Sequence, residues 1–414
     1  MKRRYYTGRD VARALSIEEL RQAAIRRLPS FAREYLESGG EDERTLLWNR
    51  EIFQAVRFRP KTLVDTTSRS IATTLLGVPT SSPLIIAPTG HNGIYCRDAD
   101  LLLARAAASE GIPFTLSTLS NIALERLPTE AGGRLWMQLY VFSDDRLTED
   151  IVARAEAAGY EALVFTTDVN VFGWREWDRR QFRAPGKLTY RALADILLHP
   201  SWAVDVLYPN GVPRLENVVS SFPPGIRDTS KAVTHIPNLF VPKITWKDVE
   251  RLRKRWRGKL LVKGILRPDD ALRALAAGCD GIILSNHGAR HIDSCVTTLE
   301  VLPDVAAAIN GRVALIIDGG VRRGSDVIKA LALGADAVMI GRATLYGLIS
   351  GGQAGAQHAI RLLHSEIERV LGQIGCNRLN DLGPDFLSPG KIMWSEAIGG
   401  DRKKQTQELS VAAS

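Results

Sequence analysis

Asp270-Ala271-Leu272-Arg273-Ala274-Leu275-Ala276-Ala277-Gly278-Cys279-Asp280-Gly281-Ile282-Ile283-Leu284 decides the fold. An alanine- and leucine-rich stretch of helical character runs to a glycine, an aspartate follows, and the chain enters a short apolar run that reads as a buried strand. Gly278 suits a helix end in the left-handed conformation, where it carries no Cβ penalty. The same order returns at Asp326-Val327-Ile328-Lys329-Ala330-Leu331-Ala332-Leu333-Gly334-Ala335-Asp336-Ala337-Val338-Met339-Ile340. One module is used twice.

Working outward, six further apolar runs alternate with helical patterns, so the strands are expected at Leu84–Gly90, Phe114–Thr118, Leu135–Val141, Ala162–Asp168, Leu260–Ile265, Gly281–His287, Ala314–Gly320 and Ala337–Arg342. Short strands apolar on both faces belong to a parallel sheet covered by helices. Eight such units predict a closed TIM (β/α)8 barrel over 81–389. Residues 1–80 read as an N-terminal helical extension, with Ser16 and Glu19 as a capping box. The stretch 170–242 after strand four is a long loop or lid insertion carrying Pro185, Pro200, Pro209, Pro213, Pro223, Pro224, Pro237 and Pro242, and 390–414 is a C-terminal tail. Within the insertion, Tyr190–Tyr208 is apolar enough for a lid, an oligomer contact, a surface anchor or an ordinary excursion packed on its own barrel.

Composition narrows the classes. The chain has 414 residues, 45% of them hydrophobic, enough for a sizeable core. Cys96, Cys279, Cys295 and Cys376 form no CxxC pair and no cluster with histidine, so they read as reduced thiols of a cytoplasmic protein with no metal. The basic start Met1-Lys2-Arg3-Arg4 is not followed by an apolar run of signal-peptide length. No stretch approaches ~20 apolar residues. The net charge of +8 reads first as a generally basic surface. The arginines are scattered and no nucleic-acid motif accompanies them, so nucleic acid is not an expected partner.

In such barrels the site lies at the C-terminal ends of the strands. Here those ends carry Thr89 and Gly90, Ser117, Gln138 and Tyr140, Thr166 and Asp168, Lys263, Ser285 and His287, Asp318 and Gly320, and Gly341 and Arg342. Strand six runs into Ser285-Asn286-His287-Gly288-Ala289-Arg290-His291-Ile292-Asp293. Within six residues the chain presents a base, a glycine bend and a fixed cation. That set suits a substrate whose carboxylate lies beside a carbon that must lose a hydrogen. Asp318-Gly319-Gly320-Val321-Arg322-Arg323-Gly324 and Gly341-Arg342, after strands seven and eight, read as a phosphate grip. Lys263 has two readings: a Schiff-base nucleophile of a lyase, or a fixed cation beside a cofactor. A non-catalytic binding barrel would leave all these residues idle.

The nine-residue string closely resembles the active-site signature of the FMN-dependent 2-hydroxy acid oxidoreductases, with His291 where the family usually has glutamine and Ala289 where it often has glycine. The resemblance runs from about Arg27 to Leu387. It implies FMN as cofactor, lined along its ring and ribityl chain by Thr89, Gly90, Ser117, Gln138, Thr166, Lys263 and Ser285. Asp318, Gly320, Arg322, Gly341 and Arg342 would hold its phosphate end. Lys263 becomes the cation near flavin N1. Tyr35, in Glu34-Tyr35-Leu36-Glu37-Ser38-Gly39, and Arg290 would bind the substrate carboxylate. Tyr140 would meet the hydroxyl, Arg175 would add a second positive charge, and Asp168 would pair with His287, the base.

The implied reaction is oxidation of an (S)-2-hydroxy acid to a 2-keto acid, the hydrogen on C2 leaving as a hydride or as a proton. Within the family the segments Thr167–Glu176, Leu198–Trp202 and Arg342–Gly347 are most similar to those of mandelate dehydrogenases. Gly90 stands where oxidases usually have alanine, as in members that pass electrons to quinone. Leu119 replaces a common tryptophan and opens space for an aromatic acid; an L-lactate dehydrogenase or an O2-using 2-hydroxy acid oxidase is the second reading. The resemblance further implies a homotetramer and peripheral attachment at the inner face of the cytoplasmic membrane through Tyr190–Tyr208, against which Asp195 and Asp205 count.

Overall fold

The computed structural model describes residues 5, 6, 8, 10–222, 231, 235–240 and 243–389. Met1–Arg4, Pro223, Pro224, Pro242 and the tail 390–414 lie outside the described residues. Eight parallel strands close a barrel in chain order. They are β1 (Leu84–Ile86), β2 (Phe114–Leu116), β3 (Leu135–Leu139), β4 (Ala162–Thr166), β5 (Lys259–Ile265), β6 (Gly281–Leu284), β7 (Ala314–Ile317) and β8 (Ala337–Ile340). β8 returns to β1 through Val338↔Leu84, Met339↔Ile85 and Ile340↔Ile86.

The two faces of each strand feed different cores. Ile85, Ala87, Trp136, Ala162, Val164, Leu261, Ile283, Ile316, Ala337 and Met339 fill the barrel interior as one cluster. Their neighbours, Leu84, Ile86, Leu163, Phe165, Leu260, Val262, Ile282, Leu284, Leu315, Ile317, Val338 and Ile340, pack outward with the helices. This period-two alternation places the site. Two residues on from Ala87, Trp136, Val164, Leu261, Ile283, Ile316 and Met339 stand Thr89, Gln138, Thr166, Lys263, Ser285, Asp318 and Gly341. The interior thus turns polar at the C-terminal ends of the strands.

The repeated module does the same job in both copies. Gly278 and Gly334 close their helices with φ of +80° and +105°. Asp280 then accepts the Leu260 N–H at 2.9 Å, and Asp336 accepts the Leu315 N–H at 2.7 Å, so each aspartate ties a neighbouring strand. The copies are separated by the helix Thr298–Ile309 and β7.

Several strands end before their expected limits. The apolar run of β6 stops at Leu284, not His287, and β1 stops at Ile86, not Gly90. Thr89, Ser117, Ser285, Asp318 and Gly341 lie past the ends of their strands, while Gln138, Thr166 and Lys263 stay in the ladder.

The first 80 residues are only partly helical. Helices Ile17–Arg27, Ser30–Glu37 and Arg44–Ala55 are followed by Val56–Phe58, which pairs antiparallel with Leu387–Pro389. A hairpin, Thr73–Leu75 with Val78–Thr80, then brings Leu75 into the interior cluster. The capping box is half formed: Ser16 Oγ accepts the Glu19 N–H, but the Glu19 carboxylate turns to the Tyr6 and Leu15 N–H groups.

The stretch after β4 carries structure of its own: helices Glu176–Arg179, Tyr190–Leu197 and Pro200–Leu207, a short hairpin at Phe182–Ala184 and Lys187–Leu188, and a turn of helix at Ile236–Leu239. It is anchored through Trp202, whose indole N–H donates to the Ile94 carbonyl at 2.8 Å and whose ring meets Phe31 edge-on.

Candidate active site

After β6 the chain turns through three successive left-handed residues, His287 (φ 55°), Gly288 (φ 61°) and Ala289 (φ 63°). Two are not glycine, and such backbone strain persists only where surrounding bonds enforce it. Here Ser285 Oγ accepts the His287 N–H at 3.0 Å, and the Asn286 side chain exchanges two hydrogen bonds with Asn49 of the helix Arg44–Ala55. The turn swings His287 over to the end of β4. There its Nδ1 meets Asp168 Oδ1 at 2.8 Å.

Beneath this pair lies Lys263. Its Nζ donates to Ser285 Oγ at 2.7 Å and stands 3.2 Å from Asp318 Oδ2 and 3.8 Å from Asp168 Oδ2. Burial alone would raise the Asp168 carboxyl. The charges of His287 and Lys263 outweigh it and hold Asp168 well below the usual carboxylate range. Burial likewise opposes the lysine charge, yet Asp318 and Asp168 push Lys263 above its ordinary value. A Schiff-base lysine needs a free amine. The two carboxylates favour Lys263 as a fixed cation over the Schiff-base reading.

Two arginines form a cationic wall about Tyr35. Arg290 Nη1 donates to the Tyr35 and Ser38 carbonyls at 2.9 and 3.3 Å, and its guanidinium lies 4.9 Å from the Tyr35 ring centroid. Arg175 approaches the same ring at 5.4 Å. Its charge is not free, because Asp178 takes it at 2.9 Å. Tyr140 is buried, its hydroxyl kept protonated by desolvation and by Asp168 and Tyr35, and its ring meets Phe240 at 5.0 Å. Phe240 in turn meets Phe172 at 4.9 Å, so an aromatic wall adjoins Tyr140. His91, edge-on to Tyr35 at 5.8 Å, is pushed down to about 4 by burial and by Arg175 and Arg290, and stays neutral.

The remaining rim residues form two groups. Ser117 Oγ donates to Gln138 Oε1 at 3.3 Å and Gln138 Nε2 donates to Thr166 Oγ1 at 3.1 Å, while Thr89 Oγ1 accepts from Asn92. Gly90 borders this group: a Cβ there would stand 3.2 Å from Leu119 Cβ and 3.4 Å from Ser117 Oγ. The second group is basic. Arg322 buries an Nε with no hydrogen-bond partner, and Arg50 is lowered by burial and by Arg322. Arg342 is pushed down to about 10 by burial and by Arg290, while donating to the Leu36, Gly288 and Ser38 carbonyls. Crowded buried cations with an orphaned donor fit an anion such as a phosphate. Gly320, expected to let backbone approach a phosphate, has a different neighbour: a Cβ there would lie 1.8 Å from the Asn49 carbonyl oxygen. Its bareness seats the helix Arg44–Ala55.

Sequence reasoning had not singled out His91, Asp178, Phe240, Asn49 or Arg50. His91 follows Gly90 directly, a signal that was there to read. Phe240 comes from the far end of the insertion, and nothing local marks it.

A strained histidine paired with a buried carboxylate, a fixed lysine beneath it, an arginine wall and a cationic pocket on one barrel rim define a class: oxidoreductases that hold a phosphorylated redox cofactor against a small acid. The family model described as FMN-dependent dehydrogenase matches residues 24–389. The (S)-mandelate dehydrogenase of Pseudomonas putida is 43% identical over 373 residues, 90% of this chain and 93% of that protein. An L-lactate dehydrogenase of Chromohalobacter salexigens is 38% identical over 372 residues, covering 90% and 95%. A crystal structure of the monotopic membrane protein (S)-mandelate dehydrogenase superposes with a TM-score of 0.87 at 43% identity, covering 91% of this chain and all of that one. The chain belongs to the FMN-dependent dehydrogenase family. It is an FMN flavoprotein that oxidises 2-hydroxy acids.

Proposed function

We propose that the substrate is an (S)-2-hydroxy acid with an aromatic side chain, mandelate or a near relative, and that electrons pass on to a quinone. The observation that carries this reading is the His287–Asp168 pair at 2.8 Å over Lys263, facing Arg290 on Tyr35. Support for the aromatic side chain comes from the Phe172–Phe240–Tyr140 wall and from the small Leu119. L-lactate is the second reading, favoured by the lactate dehydrogenase among the relatives.

Arg290 and Tyr35 bind the carboxylate, with Arg175 in support. Tyr140 donates to the hydroxyl. His287 takes the proton, and Asp168, charged throughout, orients the ring and stabilises the imidazolium. FMN, when bound, supplies the two-electron acceptor. Thr89, Gly90, Ser117, Gln138, Thr166, Lys263 and Ser285 would line its ring and ribityl chain. Asp318, Arg322, Gly341 and Arg342 would surround its phosphate end, Gly320 being taken up by the helix Arg44–Ala55, and the orphaned Arg322 Nε is what favours an anion there. Lys263, its charge sustained by two carboxylates, offsets negative charge gained on reduction.

The same proposal attaches the enzyme peripherally to an anionic membrane, as a homotetramer. Leu197 and Leu198 are 81% and 78% exposed, beside exposed Tyr190, Val204 and Tyr208. The two aspartates that counted against this face point the other way: Asp195 accepts the Ser30 N–H and Asp205 meets Arg27. Among the described residues no helix is long and apolar enough to cross a membrane.

The test is anaerobic addition of (S)-mandelate to the purified flavoprotein. Bleaching of the flavin spectrum is the expected result. Bleaching by L-lactate alone would move the substrate to the second reading, and bleaching by neither acid would overturn the proposal.

A further inference from the structure

His291 is the residue at which the signature string departs most from its family's usual form, and the structure puts it against the base. Its ring meets the His287 ring at 4.4 Å with planes at 89°. Its Nδ1 accepts the backbone N–H of Gly173 at 3.1 Å. A neutral imidazole that accepts through Nδ1 carries its proton on Nε2.

The backbone around His291 is equally constrained. A Cβ on Gly173 would fall 2.3 Å from the Arg290 carbonyl oxygen and 2.5 Å from His291 Cα, and one on Gly40 would fall 2.7 Å from the His291 carbonyl oxygen. Two bare glycines from distant segments therefore clamp residue 291. The segment so held is the one that carries Phe172 into the aromatic wall and Arg175 onto Tyr35. A second tie, from the Glu41 N–H to the Trp174 carbonyl at 2.9 Å, holds it from the other side. Burial pushes His291 down to about 2, helped by His287, Arg175 and Arg290 against the pull of Asp168, so the acceptor is present at every working pH.

We propose that His291 is a positioning residue with two separable parts: Nδ1 latches the Phe172–Arg175 segment over the substrate site, and the ring walls His287 into the orientation that faces Asp168. Glutamine would keep an acceptor but no ring face. Phenylalanine would keep the ring face but no acceptor. The latch belongs to substrate binding and the wall to turnover, so the two substitutions should fail differently. This division rests on the hydroxy-acid reading above.

The experiment uses the FMN-loaded holoenzyme with His291→Gln and His291→Phe. Two readouts are taken: the concentration dependence of anaerobic flavin reduction by (S)-mandelate, with L-lactate in its place if mandelate is inert, and amide hydrogen exchange of the peptide spanning 171–175. In His291→Phe, half-saturation should rise roughly five- to tenfold, the worth of one hydrogen bond, with a limiting rate within about threefold and faster exchange at 171–175. In His291→Gln, exchange and half-saturation should stay near the parent's while the limiting rate falls roughly tenfold, as expected when a base loses its alignment. The proposal is overturned if both variants match the parent in both readouts, or if both lose rate, affinity and FMN in parallel. A parent enzyme reduced by neither acid would sink the substrate reading. The exchange experiment would still decide the latch.

Discussion

His287 combines backbone strain with the base role proposed for it. A left-handed backbone disfavoured for a side-chain-bearing residue is imposed by Ser285 and by the Asn286–Asn49 pair, and its effect is to carry an imidazole from the end of β6 to a carboxylate just past β4. Replacing His287 with Ala removes the proton acceptor and leaves the flavin-lining residues in place. Turnover should fall by roughly 10³-fold with the bound-flavin spectrum retained. A variant keeping most of its turnover would remove His287 from the chemistry. The positions of His287, Asp168 and Lys263 were readable beforehand because each stands at the polar end of an apolar strand. Arg175 was readable as a cation but not as a paired one, since Asp178 lies in a short helix whose direction follows from packing. The His287–His291 contact was equally hidden: four positions apart in a non-helical turn, two side chains meet or part according to dihedrals that the sequence does not display.

At the scale of the element, the helices Tyr190–Leu197 and Pro200–Leu207 carry the membrane question. Both present one face to the N-terminal helices and one to solvent. Asp195, Asp205 and Trp202 occupy the inner face, and Leu197, Leu198 and Val204 the outer. Apolar side chains on a basic protein favour insertion at an anionic interface, and an aspartate there opposes both terms. Leu197→Asp combined with Leu198→Asp should abolish cosedimentation with vesicles containing phosphatidylglycerol, while anaerobic reduction by the hydroxy acid stays within about twofold of the parent. Equal sedimentation of parent and variant would place attachment elsewhere. Composition had marked this segment as apolar yet weighed the aspartates against it. Their inward orientation depends on Ser30 and Arg27, 165 and 178 residues away.

In different parts of the molecule, burial keeps His91, His291 and His364 neutral. His364, hydrogen-bonded to Ser82 Oγ at 2.7 Å, is pushed down to about 4, as is His91. Each binds a proton in the unfolded chain at a pH where the folded protein leaves it neutral. Stability from such a group is therefore complete above about pH 6.5 and falls as pH drops toward the folded-state value, by at most ~1.4 kcal/mol per pH unit. The buried Asp100 carboxyl, pushed up to about 6, works in the opposite direction, so the test is a difference. Between about pH 7 and pH 5 the urea midpoint of His364→Gln should shift less toward instability than that of the parent. Identical shifts would refute the assignment. The barrel, its eight strands and the list of rim residues were determined by the sequence itself, because period-two alternation and the helix–glycine–aspartate–strand module are local patterns that the backbone must obey. Tertiary structure alone decided the partners: His291 against His287, Asn49 beneath Gly320, Phe240 beside Tyr140, Asp195 turned inward. Those contacts join residues distant in the chain or direct side chains through irregular turns. They exist only once closure of the barrel has fixed where each segment must lie.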